Sequence, residues 1–250
     1  MSAGARVRCS RLFGRDGRTV VAALDHGIAG LNPLEHLGAP GALVESLAAA
    51  GADAFIVTPG IVQACGASFG RAGLIVRADV GATAWTGHAD LNRPTLSARD
   101  ALRLGADAIV AMGVVGVPGE AASLSALAEL AADCQRWGLP LVAEMLPGGF
   151  TAGEVSAAMV ASAARVGADL GADIIKIRYT GEAASFRAVT RDCYRPVIVL
   201  GGSKQPLDAL LQSSRDALAA GAAGVAIGRN VWQAPEPATV VARLVEAVHA

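Results

Sequence analysis

GADIIKIR, residues 171–178, has three companions in the chain: GADAFIVT at 51–58, GADAIVAMG at 105–113 and GAAGVAIG at 221–228. Each follows a helix-like stretch, opens on glycine and runs into a short apolar segment. Glycine suits the left-handed cap that ends a helix, and an unbroken apolar run suits a strand buried on both faces. Four further runs read as strands: TVVAALD from Thr19, LIVRAD from Leu74, LPLVAEML from Leu139 and PVIVLGG from Pro196. Amphipathic segments separate most of them, the clearest near 41–50, 121–137, 154–170, 206–220 and 236–249. Such alternation implies parallel βαβ units. Eight units in 250 residues fit an α/β fold of one domain, a closed (β/α)8 TIM barrel spanning 1–250. An open doubly wound sheet is the competing architecture, but no GxGxxG follows the first strand.

Composition points the same way. The chain is 53% hydrophobic and 17% charged, with no Pro/Ser-rich linker to divide it. A net charge of −1 gives no reason to expect nucleic-acid binding. No apolar run reaches the roughly 18 residues of a membrane span. The basic N-terminus lacks the apolar core of a signal peptide. A soluble cytoplasmic protein is expected. Cys9, Cys65, Cys134 and Cys193 show neither CxxC nor zinc spacing and are expected to be free thiols.

Of 21 basic residues only Lys176 and Lys204 are lysine. Lysine can lose its proton and act as a nucleophile, which arginine effectively cannot. Lys176 stands among isoleucines, where an unpaired ammonium is costly. Strand alternation puts Ile174, Lys176 and Arg178 on one face. Pointing into a barrel, Lys176 could attack a carbonyl and form a Schiff base. The other reading is a structural ion pair with Asp25 or Glu144.

Barrel chemistry gathers at the C-terminal ends of the strands. Those ends carry Asp25-His26, Arg77 and Asp79, Glu144, Lys176 and Arg178, Gly201-Gly202-Ser203-Lys204, and Gly228-Arg229. Glycines in the last two loops let backbone N–H groups approach an anion, with Ser203, Lys204 and Arg229 as added donors. A phosphate site is one reading, and two tight turns with solvated basic residues the other. Arg77, Asp79 and Thr83 either line the mouth or form an ion pair beneath it. Trp85 and Trp232 read as packing residues, and His36, His88 and His249 as surface or loop residues.

GADIIKIRYTG (171–181) resembles the Schiff-base segment of archaeal-type class I fructose-bisphosphate aldolases, within the DeoC/LacD-like aldolases. ALDHG at 23–27, VLGGSK at 199–204 and GVAIGRNVWQ at 224–233 match that family in the same order. The resemblance implies a class I aldolase, an aldehyde-lyase, joining dihydroxyacetone phosphate to an aldehyde. Lys176 would form the imine and need no metal cofactor. Gly201, Gly202, Ser203, Lys204, Gly228 and Arg229 would hold the substrate phosphate and Arg178 would contact substrate. Asp25 would orient hydroxyls and assist proton transfer. A homo-oligomer is also implied.

The chain departs from the family at the end of the fifth strand. A Tyr-Pro-Arg-Gly-like turn is usual there; this chain has Leu146-Pro147-Gly148-Gly149. Leucine cannot move a proton, so that work passes to another group. Glu144, on the face of Leu146, is the first candidate, with a pKa expected to rise toward neutrality. His26 is the second and Tyr179 the third. Loss of the basic residue weakens the case for a phosphorylated acceptor and favours a biosynthetic aldolase, such as one making a seven-carbon amino sugar acid from aspartate semialdehyde. A fructose-bisphosphate aldolase, a lysine-dependent thiolase and a phosphometabolite-binding barrel without an imine are the alternatives.

Overall fold

The computed structural model describes residues 1–30, 34–81, 83, 85, 92–149 and 155–250. Eight parallel strands close a barrel: β1 (Thr19–Ala23), β2 (Ala54–Val57), β3 (Gly73–Arg77), β4 (Ala108–Val115), β5 (Leu141–Pro147), β6 (Ile174–Arg178), β7 (Val197–Leu200) and β8 (Gly224–Ile227). The ring closes where β1 pairs with β8, Val20 opposite Val225. All eight expected strands are present. Around them lie α1 (Ala3–Cys9), α2 (Pro40–Ala49), α3 (Pro59–Cys65), α4 (Ala98–Arg103), α5 (Glu120–Trp137), α6 (Ala157–Asp169), α7 (Ala183–Asp192), α8 (Leu207–Ala219), α9 (Arg229–Trp232) and α10 (Pro237–Val248). The five expected helices are α2, α5, α6, α8 and α10. Of the helices the sequence left unread, all but α7 are seven residues or shorter, too short for a periodic signal. A two-residue antiparallel ladder, Asp79–Val80 with Arg93–Pro94, also follows β3. Among the described residues no helix is long and apolar enough to cross a membrane.

The Gly-Ala-Asp repeat has a double duty. All four glycines, Gly51, Gly105, Gly171 and Gly221, sit at φ between 83° and 104°. The next residue closes the helix end, as Ala52 N–H does on Leu47 O at 3.1 Å. The aspartate then grips the preceding strand at two points. Asp53 donates its N–H to Val20 O (3.0 Å) and accepts Val20 N–H on Oδ2 (2.7 Å). Asp107 treats Leu74 the same way (2.8 and 3.2 Å), and Asp173 treats Leu141 (2.9 and 3.1 Å). The fourth copy has Ala223, which keeps only the backbone half, donating to Val197 O at 2.7 Å.

Ala223 shows that the backbone tolerates alanine at this place. Asp173→Ala is therefore expected to fold, and to lose about 1.5–3 kcal/mol for one charged acceptor taken from a strand N–H. Urea unfolding measures the loss; an unchanged midpoint would show the carboxylate contributes nothing.

Alternation divides each strand between two cores. Ile174 packs inside the barrel with Val142, Val110 and Ile198, while Ile175 and Ile177 pack outside against the helices. Leu12 closes the lower end from within, with Cys9 and Phe13 packed against it. Both ends of the chain are tied to that floor: Arg11 pairs with Asp107 at 2.9 Å, and His249 bridges Asp16 (2.8 Å) and Asp53 (2.9 Å). His249 is thus a fastening as much as a surface residue. His36 is exposed, and His88 lies outside the described residues.

Candidate active site

The upper inner face, above Ile174 and Val142, carries charge instead of hydrocarbon. β5 and β6 are in register, with Glu144 opposite Lys176. Lys176 Nζ donates to Glu144 Oε1 at 2.6 Å, and the two are only 4% and 8% exposed. Glu144 Oε2 accepts from Arg77 Nη2 at the end of β3. Arg77 also reaches Asp25, just past β1, through Nε and Nη2, both at 2.7 Å from Oδ2. Its Nη1 reaches Asp79 at 3.1 Å. One guanidinium therefore joins three carboxylates that come from three parts of the barrel mouth.

Electrostatics follow from this crowding. Burial pushes the Glu144 carboxyl up, but Lys176 and Arg77 outweigh it and hold the group well below the usual carboxylate range. The expected rise toward neutrality is thus reversed, because Glu144 is paired with Lys176, the other reading of that lysine, and Arg77 from β3 adds a second cation. Burial also pushes the Asp25 carboxyl up, but there Arg77 first and Lys176 second outweigh it, with the same downward result. Burial disfavours charge on Arg77, yet Asp25, Glu144 and Asp79 hold its pKa well above the ordinary value.

His26 lies beside Asp25, Nδ1 to Oδ1 3.5 Å, with its ring 5.5 Å from that of Trp232. Burial lowers its pKa despite the nearby Asp25, so the ring is neutral at pH 7. Gly228 is the residue that admits it. A Cβ there would press into the imidazole and stand 3.1 Å from Ala23 O. Trp232 is fully buried, as expected of packing, whereas Trp85 is 84% exposed. Tyr179 packs its ring on Phe186 at 5.2 Å in the outer core, turned from Lys176 as its parity requires. Leu146 ends the inner face of β5, opposite Val114.

The two glycine loops meet. Arg229 Nη2 donates to Gly202 O at 3.0 Å, and Asn230 Nδ2 donates to Gly201 O (3.0 Å) and Ser203 O (3.1 Å). Asn230 Oδ1 takes the N–H of Gln205 at 2.8 Å. With its carbonyls engaged inward, the 201–205 loop stays open at a φ of 65° on Gly202. A cavity of about 370 Å³ borders this loop and Arg178, and its rim includes Gly201, Gly202, Ser203 and Lys204. Lys204 Nζ is turned to Gln233 O at 3.0 Å.

The structure thus gathers Lys176, Glu144, Asp25 and His26 into one cluster, and Arg178 with the glycine loops into another beside it. Sequence reasoning missed the fastenings. Asn230 follows the quoted Gly228-Arg229 and was within reach. Asn92 and Ser123 were not: Asn92 Nδ2 donates to Asp79 Oδ2 (2.6 Å) and Met112 O (2.8 Å), and Asn92 Oδ1 accepts from Ser123 Oγ (3.1 Å). Neither sits at a strand end. Among the described residues no group of three or more His, Cys, Asp or Glu is arranged to hold a metal ion.

Comparison with known proteins places the chain in a family. The DeoC/LacD family aldolase profile matches residues 19–234. A 2-amino-3,7-dideoxy-D-threo-hept-6-ulosonate synthase of Halobacterium salinarum is 36% identical over 247 residues, covering 99% of this chain and 92% of the relative. A 2-amino-4,5-dihydroxy-6-oxo-7-(phosphonooxy)heptanoate synthase of Streptomyces griseus is 36% identical over 250 residues, covering 97% and 89%. An archaeal fructose-1,6-bisphosphate aldolase, solved with its catalytic lysine covalently bound to the carbinolamine intermediate of the substrate, superimposes with a TM-score of 0.88. It is 29% identical and covers 98% of this chain and 100% of its own. The chain belongs to the DeoC/LacD aldolase family, and is a class I aldolase with that family's closed barrel.

Proposed function

We propose that the enzyme joins a phosphorylated ketone, dihydroxyacetone phosphate, to an aldehyde through an imine on Lys176. The observation that carries this is the Lys176–Glu144 pair at 2.6 Å, buried at the catalytic end of a family barrel. Glu144 takes a proton from the ammonium, and the free amine adds to the donor carbonyl. The carbinolamine hydroxyl leaves as water with that proton, and the iminium formed is the electron sink. No metal is needed in this cycle. Glu144, ionised again, takes a proton from the adjacent carbon to give the enamine and returns it to the aldehyde oxygen as the enamine attacks; hydrolysis frees the product. Asp25 orients the donor hydroxyls, with His26 beside it to relay protons. Gly201, Gly202, Ser203, Lys204, Gly228 and Arg229 hold the phosphate, and Arg178 meets it from β6.

The acceptor follows from the charge balance of the mouth. Within the buried cluster Asp25, Asp79 and Glu144 outnumber Arg77 and Lys176 by one, Arg178 and Arg229 stand apart beside the phosphate loops, and Gly148 supplies no cation for a second phosphate. An aldehyde bearing an ammonium, such as aspartate semialdehyde, suits this acidic side. The names of the Halobacterium and Streptomyces relatives support an amino-bearing seven-carbon product, and so a biosynthetic direction. A homo-oligomer in the cytoplasm accords with the family resemblance, and light scattering reads the assembly.

Borohydride reduction in the presence of dihydroxyacetone phosphate tests the chemistry. A stable adduct mapped to Lys176 is expected. No adduct, with phosphate demonstrably bound, would overturn the imine.

A further inference from the structure

We propose that Arg77 is the positioning residue of this site: its guanidinium aims Glu144 at Lys176 and holds Asp25 beside them, while Asp79, Asn92 and Ser123 hold the guanidinium. The proposal rests on Lys176 forming the imine. Arg77 is 3% exposed and spends its donors on Asp25, Asp79 and Glu144, so it acts through those carboxylates and not on substrate.

Asp79 is equally committed. Its Oδ1 accepts from Arg77 at 3.1 Å, and its Oδ2 from Asn92 Nδ2 at 2.6 Å and from Met112 N–H at 2.8 Å. Asn92 in turn is fixed by Ser123 Oγ at 3.1 Å, and that hydroxyl accepts Val114 N–H at 3.0 Å. The chain of bonds runs from the α5 helix through β4 and the short ladder to the floor of the mouth. Every side-chain link from Ser123 to Arg77 is buried. A buried relay in which each donor and acceptor is satisfied fixes one geometry, and a half-satisfied one does not. Without it, Glu144 could bond Lys176 in several rotamers; with it, one oxygen faces Lys176 and the other is tied.

Charged and titratable groups facing this cluster are Asp25 and His26 from the end of β1, Asp79 after β3, Glu144 from β5 and Lys176 from β6. Arg178 and Arg229 stand at the β6 and β8 ends. Removing Arg77 leaves three carboxylates against one lysine.

The test is the pH profile of cyanoborohydride trapping with dihydroxyacetone phosphate, for wild type, Arg77→Met and Arg77→Lys. The acid limb of this profile follows Glu144 protonation. In Arg77→Met it is expected to move up by about one pH unit or more, the effect of losing an adjacent opposite charge. That is roughly a tenfold loss of trapping near the foot of the limb. Arg77→Lys restores part of the shift, since it returns the charge but not the three-way fork. A folded Arg77→Met variant with the wild-type limb overturns the proposal. If that variant does not fold, Arg77→Lys decides: a limb unmoved from wild type overturns the proposal, and a limb moved up, the charge kept but the three-way fork lost, supports it. Absence of any wild-type adduct overturns the imine itself, a separate failure.

Discussion

Lys176→Ala is expected to lower kcat/KM by about 10⁴-fold or more, the scale on which a covalent nucleophile is missed. The loss is expected without unfolding. Removing one member of an isolated buried pair strands a charge and costs about 3–5 kcal/mol. Here Glu144 keeps Arg77, so its carboxylate is not left alone. The vacated space is that of a side chain at the open end of the barrel rather than in the Ile174 layer beneath. Steady-state kinetics beside a thermal melt separate the two effects. Residual turnover within tenfold of wild type would mean that the carbon–carbon chemistry does not pass through this amine.

Glu144→Gln has the opposite balance, with large effects on both activity and stability. Glutamine offers one oxygen and one NH2 to two donors, Lys176 Nζ and Arg77 Nη2. Whichever cation keeps the oxygen, the other faces an N–H. A cost of about 3–5 kcal/mol is expected, the range for breaking a buried pair. The proposed proton carrier is also gone, so kcat is expected to fall by about 10²–10⁴. The pH dependence has a definite sign. The folded-state pKa of Glu144 lies below its unfolded value of about 4.3. Its contribution to stability is therefore complete above that value and is lost as pH falls through the folded pKa. Urea midpoints followed down in pH should drop more steeply for wild type than for Glu144→Gln. Equal slopes would show that Glu144 is not the carboxylate held low by its cations.

Much of the fold could be read from one repeat, since helix cap and strand start are both local chemistry. The plug of Leu12 could not, because a lone leucine in a basic segment has no period to betray it. In the site, alternation along β5 and β6 put Glu144 and Lys176 on the inner face, and their register made them partners. Alternation names a face, however, and not which charges across the barrel will meet. Arg77 stands 67 positions from Glu144 and 52 from Asp25. Their meeting is a product of ring closure, so the second cation on Glu144 was invisible to local sequence, while the first, Lys176, was within reach as an ion-pair partner.

The aspartates of the Gly-Ala-Asp repeat make the barrel a ring with unequal joints. β1–β2, β3–β4 and β5–β6 are each riveted by a carboxylate on a strand N–H; β7–β8 has Ala223 at that place and lacks the rivet. By the worth of one charged acceptor, roughly 1.5–3 kcal/mol, this joint is the cheapest of the four to part. Hydrogen exchange would feel the difference at Val197 and its neighbours before it did at Val20, Leu74 or Leu141. Both glycine loops hang from the looser joint, while the Lys176–Glu144 pair spans a riveted one. The barrel is thus stiff at the lysine proposed to make the bond and lenient at the loops proposed to take the phosphate.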